Sequence, residues 1–315
     1  MPLKVNSPVA PDVSGDLSVL DAFFDPNRRL ALIGCSGAVR HAFTGGALAY
    51  IRRRKLSHVF CGFAGVSGAI GTLINFMGGA KATSLRMFSE ELADRRLFDL
   101  LRRAWGKEPL DIGYLARQFD GANGRGFNYT AAADHPAPLL AVLGCPETGE
   151  PIIIEPRIAA VMREVAIYGG AIPGLSPLCT IDGRRVVDGC FTTESVPVGP
   201  LSTRTGATDV LVFAGGSRPC ERSRRNRYIE WLVYHSGLAR DVAPVVRRMM
   251  LERNECFAEQ IDRALAQESP RVLVVWWPEY LPAFCIGRER TRQLISEGYH
   301  TMRMLLTSQS GSHTT

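Results

Sequence analysis

The chain has 315 residues, and 46% of them are hydrophobic, which is enough to bury a large core in one domain or two. A formal net charge of +6 is mild for this length, and eight cysteines without CxxC spacing indicate neither a zinc site nor a disulfide framework. Apolar runs stay below the roughly eighteen residues of a membrane span, and residues 1–20 lack the apolar core of a secretory signal. These features exclude an ordinary membrane-spanning protein and predict a cytoplasmic location.

The first predicted elements surround two glycine-bearing loops. Residues 30–33 form an apolar run that is typical of a buried parallel strand. Residues 34–37 interrupt this run, and residues 40–53 have the length and the small apolar side of a helix. A second predicted strand, residues 59–63, leads into the sequence Gly65-Val66-Ser67-Gly68-Ala69 and then into a second helix.

The rest of the chain alternates strands and helices. We predict helices over residues 83–95, 96–105, 155–166, 228–266 and 288–306, and strands over residues 137–144, 151–154, 178–181, 184–187, 210–214 and 271–277. The pair Asp182-Gly183 is typical of a tight hairpin turn between two of these strands. The alternation indicates an α/β fold whose sheet is covered on both faces, and no proline-rich linker divides it. We therefore predict one domain over residues 29–307, an N-terminal arm over residues 1–28 and a disordered tail over residues 308–315.

Ser67 lies in the pattern that a nucleophile elbow requires. A serine on a tight turn between a strand and a helix needs small neighbours, because a bulky one would block the turn or the approach of substrate. Gly65 and Gly68 supply them, and Ala69 follows. The alternative is that Ser67 only caps the helix that follows, as serine often does. The pattern alone leaves both interpretations open.

A nucleophilic serine also needs a base, and no histidine stands in the expected place. None of the six histidines lies in a small-residue loop after a late strand. A carboxylate acting directly on the serine is the alternative, and Asp188 at the end of a predicted strand is the best placed. The competing interpretation of Asp188 is a plain turn aspartate, the role that we assign to Asp182.

The loop after the first strand is the candidate for oxyanion donors. The amides of residues 35–38 point into the N-terminus of the first helix, a position that suits an oxyanion or a phosphate equally. Gly34 and Gly37 after a strand also fit a dinucleotide-binding fold. That interpretation is weaker, because a third glycine at the proper spacing and an acidic residue after the second strand are missing.

Together these motifs resemble those of bacterial patatin-like phospholipases, which are acyl hydrolases with a Ser-Asp dyad. The matching segments are the loop Ser36-Gly37-Ala38-Val39-Arg40-His41, the elbow around Ser67, the segment Gly170-Ala171-Ile172-Pro173-Gly174 and the pair Asp188-Gly189. They occur in the family's order, and the resemblance extends from about residue 30 to residue 306. It implies a three-layer α/β/α sandwich with a mainly parallel central sheet.

The resemblance also implies roles for individual residues. Ser67 would be the nucleophile and Asp188 its base. The residues implied for the oxyanion hole are Gly37 and Ala38, and those for substrate binding are Arg40, His41, Gly65 and Gly68. The apolar residues that would line the site and suit a fatty acyl chain are Phe43, Ile70, Ile172 and Leu175. No metal and no organic cofactor is implied.

Several positions depart from the family pattern. Ser36 and Ala38 replace glycines of the oxyanion loop, and alanine resists positive φ, so a different loop shape is expected. Ala69 replaces the second glycine of the elbow, and Cys190 replaces the small residue after Asp188-Gly189. His41 is either an additional oxyanion donor or general acid, or a helix-start histidine facing solvent. We favour the latter, because a lone histidine is usually structural.

Three functions fit the sequence. The first, which we favour, is a serine acyl hydrolase of the phospholipase, lysophospholipase or esterase type. The second is an acyltransferase that passes the acyl group to an alcohol or amine, and the third is a catalytically weak lipid-binding protein. The expected partner is a lipid or another acyl ester, not a nucleic acid, and the oligomeric state stays open.

Two clusters of basic residues lie at residues 52–55 and 222–227. We interpret them as solvated surface residues. The alternative is that they make peripheral contact with an anionic membrane or bind a phosphate-bearing substrate.

Overall fold

The computed structural model describes residues 10–79, 85–93, 95–122, 124–218, 241–277 and 281–310. The α-helices are α1 (Ala42–Arg53), α2 (Gly68–Met77), α3 (Arg86–Glu90), α4 (Ile112–Phe119), α5 (Tyr129–Ala133), α6 (Ala159–Tyr168), α7 (Val198–Thr205), α8 (Pro244–Ala266) and α9 (Arg288–Ser310). The strands are β1 (Val13–Gly15), β2 (Leu30–Gly34), β3 (Phe60–Val66), β4 (Leu139–Gly144), β5 (Pro151–Ile154), β6 (Cys179–Ile181), β7 (Arg184–Asp188), β8 (Asp209–Phe213) and β9 (Arg271–Val275). Short 3-10 helices lie at Leu17–Phe23, Ala38–His41, Ser57–Val59, Leu100–Trp105 and Gly189–Phe191.

One mixed sheet runs through the described part of the chain. Its strand order is β1-β9-β8-β2-β3-β4-β7-β6, and β5 also pairs with β4. The central strands β9, β8, β2, β3 and β4 are parallel to one another. β1 on one side and β5 and β7 on the other run antiparallel to these strands, and β6 pairs antiparallel with β7. The predicted α/β fold with a mainly parallel central sheet is confirmed.

Helices cover both faces of the sheet. The central strand β2 is buried along its whole length, as expected of a parallel strand between two helical layers. Its alternate side chains enter two hydrophobic clusters. Leu30 and Leu32 pack with α1, α2 and α9, whereas Ala31 and Ile33 pack with α7 and α8. This division follows from the two-residue period of a strand and produces a three-layer α/β/α sandwich.

Strand pairing brings Ser67 and Asp188 to the same edge of the sheet. Ser67 follows directly on β3, whose last residue, Val66, pairs with Val142 of β4. Asp188 ends β7 and pairs with Leu143, the next residue of β4. The two residues therefore lie at one level of the sheet, on either side of β4. This edge holds the carboxyl ends of the parallel strands, where open α/β sheets usually bind ligands.

The helices predicted over residues 83–105 are largely wrong. In the described part of this stretch, α3 covers only Arg86–Glu90, and a 3-10 helix covers Leu100–Trp105. The Asp99 side chain accepts from the Leu101 backbone N–H and starts this short helix, which buries none of its residues. Without an apolar face packed on the core, a longer helix has little to stabilise it.

The ends of the chain also differ from the expected boundaries. Part of the predicted arm belongs to the folded domain, because β1 pairs with β9 and the 3-10 helix Leu17–Phe23 buries Val19 and Leu20 completely. At the other end, α9 continues to Ser310, and the rest of the predicted tail lies outside the described residues. The basic cluster at residues 222–227 and the first third of the helical stretch predicted from residue 228, residues 228–240, also lie outside them.

Two local predictions can be followed in the structure. The hairpin turn between β6 and β7 is confirmed, with φ of 49° at Asp182 and 73° at Gly183.

In the basic cluster at residues 52–55, the Arg52 guanidinium is half-buried over the Phe76 ring and donates to the Phe76 carbonyl oxygen. Among the described residues, no helix combines the length and the apolar character needed to cross a membrane.

Candidate active site

Ser67 occupies a strained turn between β3 and α2. Its backbone has φ 59° and ψ −135°, a conformation that residues with a side chain rarely adopt. A Cβ at Gly65 would lie 3.0 Å from the Ile70 Cα, so the turn is tight enough to favour glycine there. Among the described residues, the Ser67 side chain makes no capping hydrogen bond to α2. The helix-cap interpretation of Ser67 is therefore wrong, and the turn has the geometry of a nucleophile elbow.

Asp188 is fully buried beside Ser67. Its Oδ1 accepts a hydrogen bond from the Cys190 backbone N–H at 2.9 Å, as a turn aspartate would. Its Oδ2 is buried and has no hydrogen-bond partner of ordinary geometry among the described residues. One carboxylate oxygen thus fixes the turn, and the other is left to accept a proton.

The environment of Asp188 makes its carboxylate a stronger base. Burial raises the pKa of the Asp188 carboxyl, and the Ser67 hydroxyl, the Cys190 groups and the charge of Arg253 oppose this rise. The Ser67 hydroxyl is thus close enough to stabilise the carboxylate, although the pair does not meet ordinary hydrogen-bond geometry. Catalytic hydrogen bonds are often long or poorly aligned before a substrate binds.

The loop of residues 36–38 lies directly against the start of α2. A Cβ at Gly68 would lie 2.7 Å from the Ala38 carbonyl oxygen, so the two backbones touch. Ala38 has φ 48°, a left-handed conformation that costs a residue with a side chain about 1–2 kcal/mol. Ala38 therefore adopts the left-handed backbone that its side chain was expected to resist. Within the described part of the chain, the backbone N–H groups of Gly37 and Ala38 have no backbone acceptor.

Arg40 ties this loop to a distant segment of the chain. Its Nε donates to the Gly37 carbonyl oxygen and its Nη1 to the Leu281 carbonyl oxygen, both at 3.1 Å. The guanidinium also lies over the Trp277 ring, 5.1 Å from its centre. Arg40 therefore fixes the loop and, at the same time, lines the cavity beside it.

His41 is buried, so the expectation that it faces solvent is wrong. Its Nε2–H donates to the Cys35 carbonyl oxygen at 2.5 Å, and its Nδ1 accepts from the Thr44 hydroxyl at 3.2 Å. Burial lowers the pKa of His41 to about 3, which keeps the imidazole neutral. His41 does not line the cavity. It acts on the loop through the Cys35 carbonyl and is not placed to act on a substrate.

Ser67 and Asp188 open into one cavity of about 390 Å³. Gly37, Ala38 and Arg40 also line it, whereas Gly65 and Gly68 serve backbone packing outside the lining. The apolar wall is formed by Phe98, Ile172, Leu175, Met250, Phe257 and Phe284. Phe43 and Ile70, which were expected to line the site, lie instead in the hydrophobic core.

Sequence reasoning missed the contribution of α8 to the cavity. Met250, Arg253, Asn254 and Phe257 all line it. Their spacing of three, four and seven residues places them on one face of the helix. That spacing is visible in the sequence, but nothing local indicates that this face meets the elbow instead of another helix.

Cys190 also lines the cavity, next to the Asp188 carboxyl. Burial, together with the Asp188 charge, raises the pKa of the Cys190 thiol, so the thiol stays protonated. The cysteines in the described part of the chain form no disulfide bond. No group of three or more His, Cys, Asp or Glu side chains in that part is arranged to hold a metal ion.

Comparisons with known proteins leave the family open. No family model and no curated protein matches the chain. Among solved structures, VipD from Legionella pneumophila is similar, with a TM-score of 0.47 and 11% sequence identity, over 98% of this chain and 72% of VipD. A likeness at this level assigns neither a family nor an activity.

Proposed function

We propose that the protein is a serine acyl hydrolase that cleaves a carboxylic ester through a Ser67–Asp188 dyad. The observation that carries the proposal is the pairing of a strained serine with a fully buried carboxylate whose Oδ2 is unpaired among the described residues. Both side chains open into the same cavity. Backbone strain and a buried carboxylate oxygen without a partner both lower stability, and such features cluster at functional sites.

The first step forms an acyl-enzyme. The Ser67 Oγ attacks the ester carbonyl carbon while its proton passes to the Asp188 Oδ2. The negative charge that develops on the carbonyl oxygen accepts hydrogen bonds from the backbone N–H groups of Gly37 and Ala38. The bond to the leaving oxygen then breaks, and Asp188 returns the proton to the departing alcohol.

The second step regenerates the serine. A water molecule loses a proton to Asp188 and attacks the acyl carbon. The bond between that carbon and the Ser67 Oγ breaks, the carboxylic acid leaves, and the proton on Asp188 returns to Ser67. The raised pKa of Asp188 favours proton acceptance in both steps, which is why no histidine relay is required.

The cavity wall favours an apolar acyl group. Phe98, Leu175 and Phe284 line it, and α8 adds Met250 and Phe257. Apolar walls with a few convergent polar groups are typical of small-molecule sites. We therefore propose an ester whose acyl part is aliphatic, such as that of a phospholipid, a lysophospholipid or a simpler lipid ester.

Labelling with a fluorophosphonate probe, followed by peptide mass spectrometry, tests the dyad. We expect one adduct on Ser67, no adduct in Ser67→Ala, and strongly reduced labelling in Asp188→Asn. Ser217→Ala is a matched control, because Ser217 lines the same cavity and should not affect labelling. An unlabelled wild-type protein, or labelling that survives Ser67→Ala, would refute the proposal.

Product analysis with p-nitrophenyl esters of increasing chain length defines the reaction. Hydrolysis predicts release of the free acid in proportion to p-nitrophenol, with a preference for longer chains. Accumulation of a new ester with an added alcohol would instead identify acyl transfer by the same serine.

A further inference from the structure

A loop of residues 99–109 projects from the domain next to the cavity. Its base is closed by an antiparallel bridge between Phe98 and Leu110. The Asp99 N–H donates to the Pro109 carbonyl oxygen at 2.9 Å, and the Asp111 N–H donates to the Leu97 carbonyl oxygen at 2.9 Å. The base is therefore fixed by the backbone, and the residues between its two sides are held out from the core.

The tip of this 99–109 loop is apolar and exposed. Leu100, Leu101 and Trp105 belong to one 3-10 helix that buries none of its residues. Leu101 is 65% exposed and Trp105 is 80% exposed. Exposed large apolar side chains that cluster on one element mark an interaction surface more often than scattered ones do. Tryptophan and leucine together are typical of surfaces that enter the interfacial region of a bilayer.

Basic residues flank the apolar tip in the sequence. Residues 95–108 contain five arginines and lysines and two acidic residues. Arg103 pairs with Glu108 and Arg102 with Asp111, both at 2.9 Å, whereas Arg95 and Lys107 are exposed. The excess of positive charge complements an anionic surface, which attracts a basic segment within a Debye length.

The base of the 99–109 loop borders the cavity that holds Ser67. The Phe98 ring stacks on the Phe284 ring with 4.6 Å between their centres, and both line the cavity. The Leu110 N–H donates to the carbonyl oxygen of Leu175, another lining residue. The base of the loop therefore belongs to the apolar wall of the cavity, and the exposed tip follows it directly in the chain.

We propose that the 99–109 loop docks the protein on an anionic lipid bilayer. In this arrangement Leu100, Leu101 and Trp105 enter the interfacial region, and the basic residues lie at the level of the headgroups. The cavity mouth then faces the bilayer, so that an acyl chain can enter without crossing water. The proposal goes beyond the hydrolase activity, because docking requires neither Ser67 nor turnover.

Binding to vesicles tests the docking surface separately from catalysis. The full chain carrying Ser67→Ala, which prevents ester cleavage, is mixed with vesicles of phosphatidylcholine alone or with about 30% phosphatidylglycerol. Co-sedimentation and tryptophan emission report binding. Leu101→Ser with Trp105→Ser removes the tip, and Arg103→Gln with Lys107→Gln removes part of the charge. Ile158→Ser is the matched control, because Ile158 is an apolar residue that is 61% exposed on another element.

We expect stronger binding to the anionic vesicles and a blue shift of the emission on binding. The tip variant should bind at least about tenfold more weakly, the charge variant should lose the preference for anionic vesicles, and Ile158→Ser should bind like its parent. All variants should keep the parent melting temperature, because the changed residues are exposed. The proposal is overturned if the parent does not bind vesicles or if the control loses as much binding as the tip variant. It is also overturned if the tip variant abolishes self-association instead of vesicle binding, which would assign the surface to a second copy of the chain.

Discussion

The contact between Gly68 and Ala38 makes Gly68→Ala the sharpest test of the proposed oxyanion loop. A methyl group at position 68 would lie 2.7 Å from the Ala38 carbonyl oxygen and 2.9 Å from its Cα. Ordinary contacts between such atoms are about 3.5 Å, so the loop has to retreat by roughly half an ångström or more. Because these are backbone atoms, no side-chain rotation relieves the clash.

The retreat moves the amides of Gly37 and Ala38 away from the position of the oxyanion. Loss of one oxyanion-hole donor costs about 100-fold to 1,000-fold in kcat. We therefore expect Gly68→Ala to lower kcat/KM for an ester by about two orders of magnitude, with a cost to folding stability of about 1–3 kcal/mol from overpacking. Asp188 and Ser67 keep their own contacts, so some fluorophosphonate labelling should remain.

Steady-state hydrolysis of a p-nitrophenyl ester and a thermal melt are measured together. Gly199→Ala is the matched control, because Gly199 lies in α7 and a Cβ there meets nothing within 4 Å. Alanine in this helix should leave kcat/KM unchanged and raise stability by up to about 1 kcal/mol. A folded Gly68→Ala protein with wild-type kcat/KM, or an equal loss of activity in Gly199→Ala, would refute the assignment of this loop as the oxyanion hole.

Three buried charges or potential charges give further predictions. Burial raises the pKa of Asp188, so the free energy of unfolding of the wild-type protein should fall as pH rises from below the pKa of the unfolded state through that of the folded state. Asp188→Asn should be more stable than the wild type by about 1 kcal/mol at neutral pH, and this gain should disappear in acid. Urea melts at several pH values measure the difference. Burial lowers the pKa of His41 to about 3, so its neutral form stabilises the fold above the pKa of the unfolded state, and the free energy of unfolding should decrease as pH falls towards about 3. His41→Gln should show a weaker decrease in the same melts. An unchanged pH dependence in this variant would contradict the buried neutral imidazole. Burial raises the pKa of Asp209, but hydrogen bonds from Arg28 and Arg271 outweigh this and hold it at about 2. Asp209→Ala should therefore lower the free energy of unfolding by about 3–5 kcal/mol without changing the activity of the folded fraction, because Asp209 lies at the amino end of β8, away from Ser67; a loss of kcat in folded protein would contradict this.

Much of the candidate site could be predicted because its requirements are local. A serine on a tight turn needs small neighbours. At Gly65 a side chain would crowd the backbone of α2, because its Cβ would lie 3.0 Å from the Ile70 Cα. The hairpin at Asp182-Gly183 follows from the left-handed backbone that this pair tolerates. The apolar run of β2 indicates a strand buried on both sides.

Other features depended on contacts between distant parts of the chain. The sequence predicts that His41 is an exposed residue at the start of a helix. In the structure Trp277 packs against the His41 ring, and His41 is fully buried. Ala38 was expected to resist a left-handed conformation, and the close approach of Gly68 and the Arg40 hydrogen bonds accompany that conformation in the structure. Residues 83–105 carry helical spacing, but the part at Leu100–Trp105 buries none of its residues and so has no core surface on which a longer helix could pack.

Strand periodicity and turn chemistry act over a few neighbouring residues, so the fold class, the tight turn at Ser67 and the hairpin could be predicted from the amino-acid sequence. The folded chain was needed to show that Asp188 lies beside Ser67 across β4, that α8 lines the cavity, and that the tip of the 99–109 loop is exposed. These outcomes depend on strand register and on packing between elements far apart in the chain. Such packing determines which side chains lose water, and therefore which carboxyl has a raised pKa and which apolar side chains stay exposed.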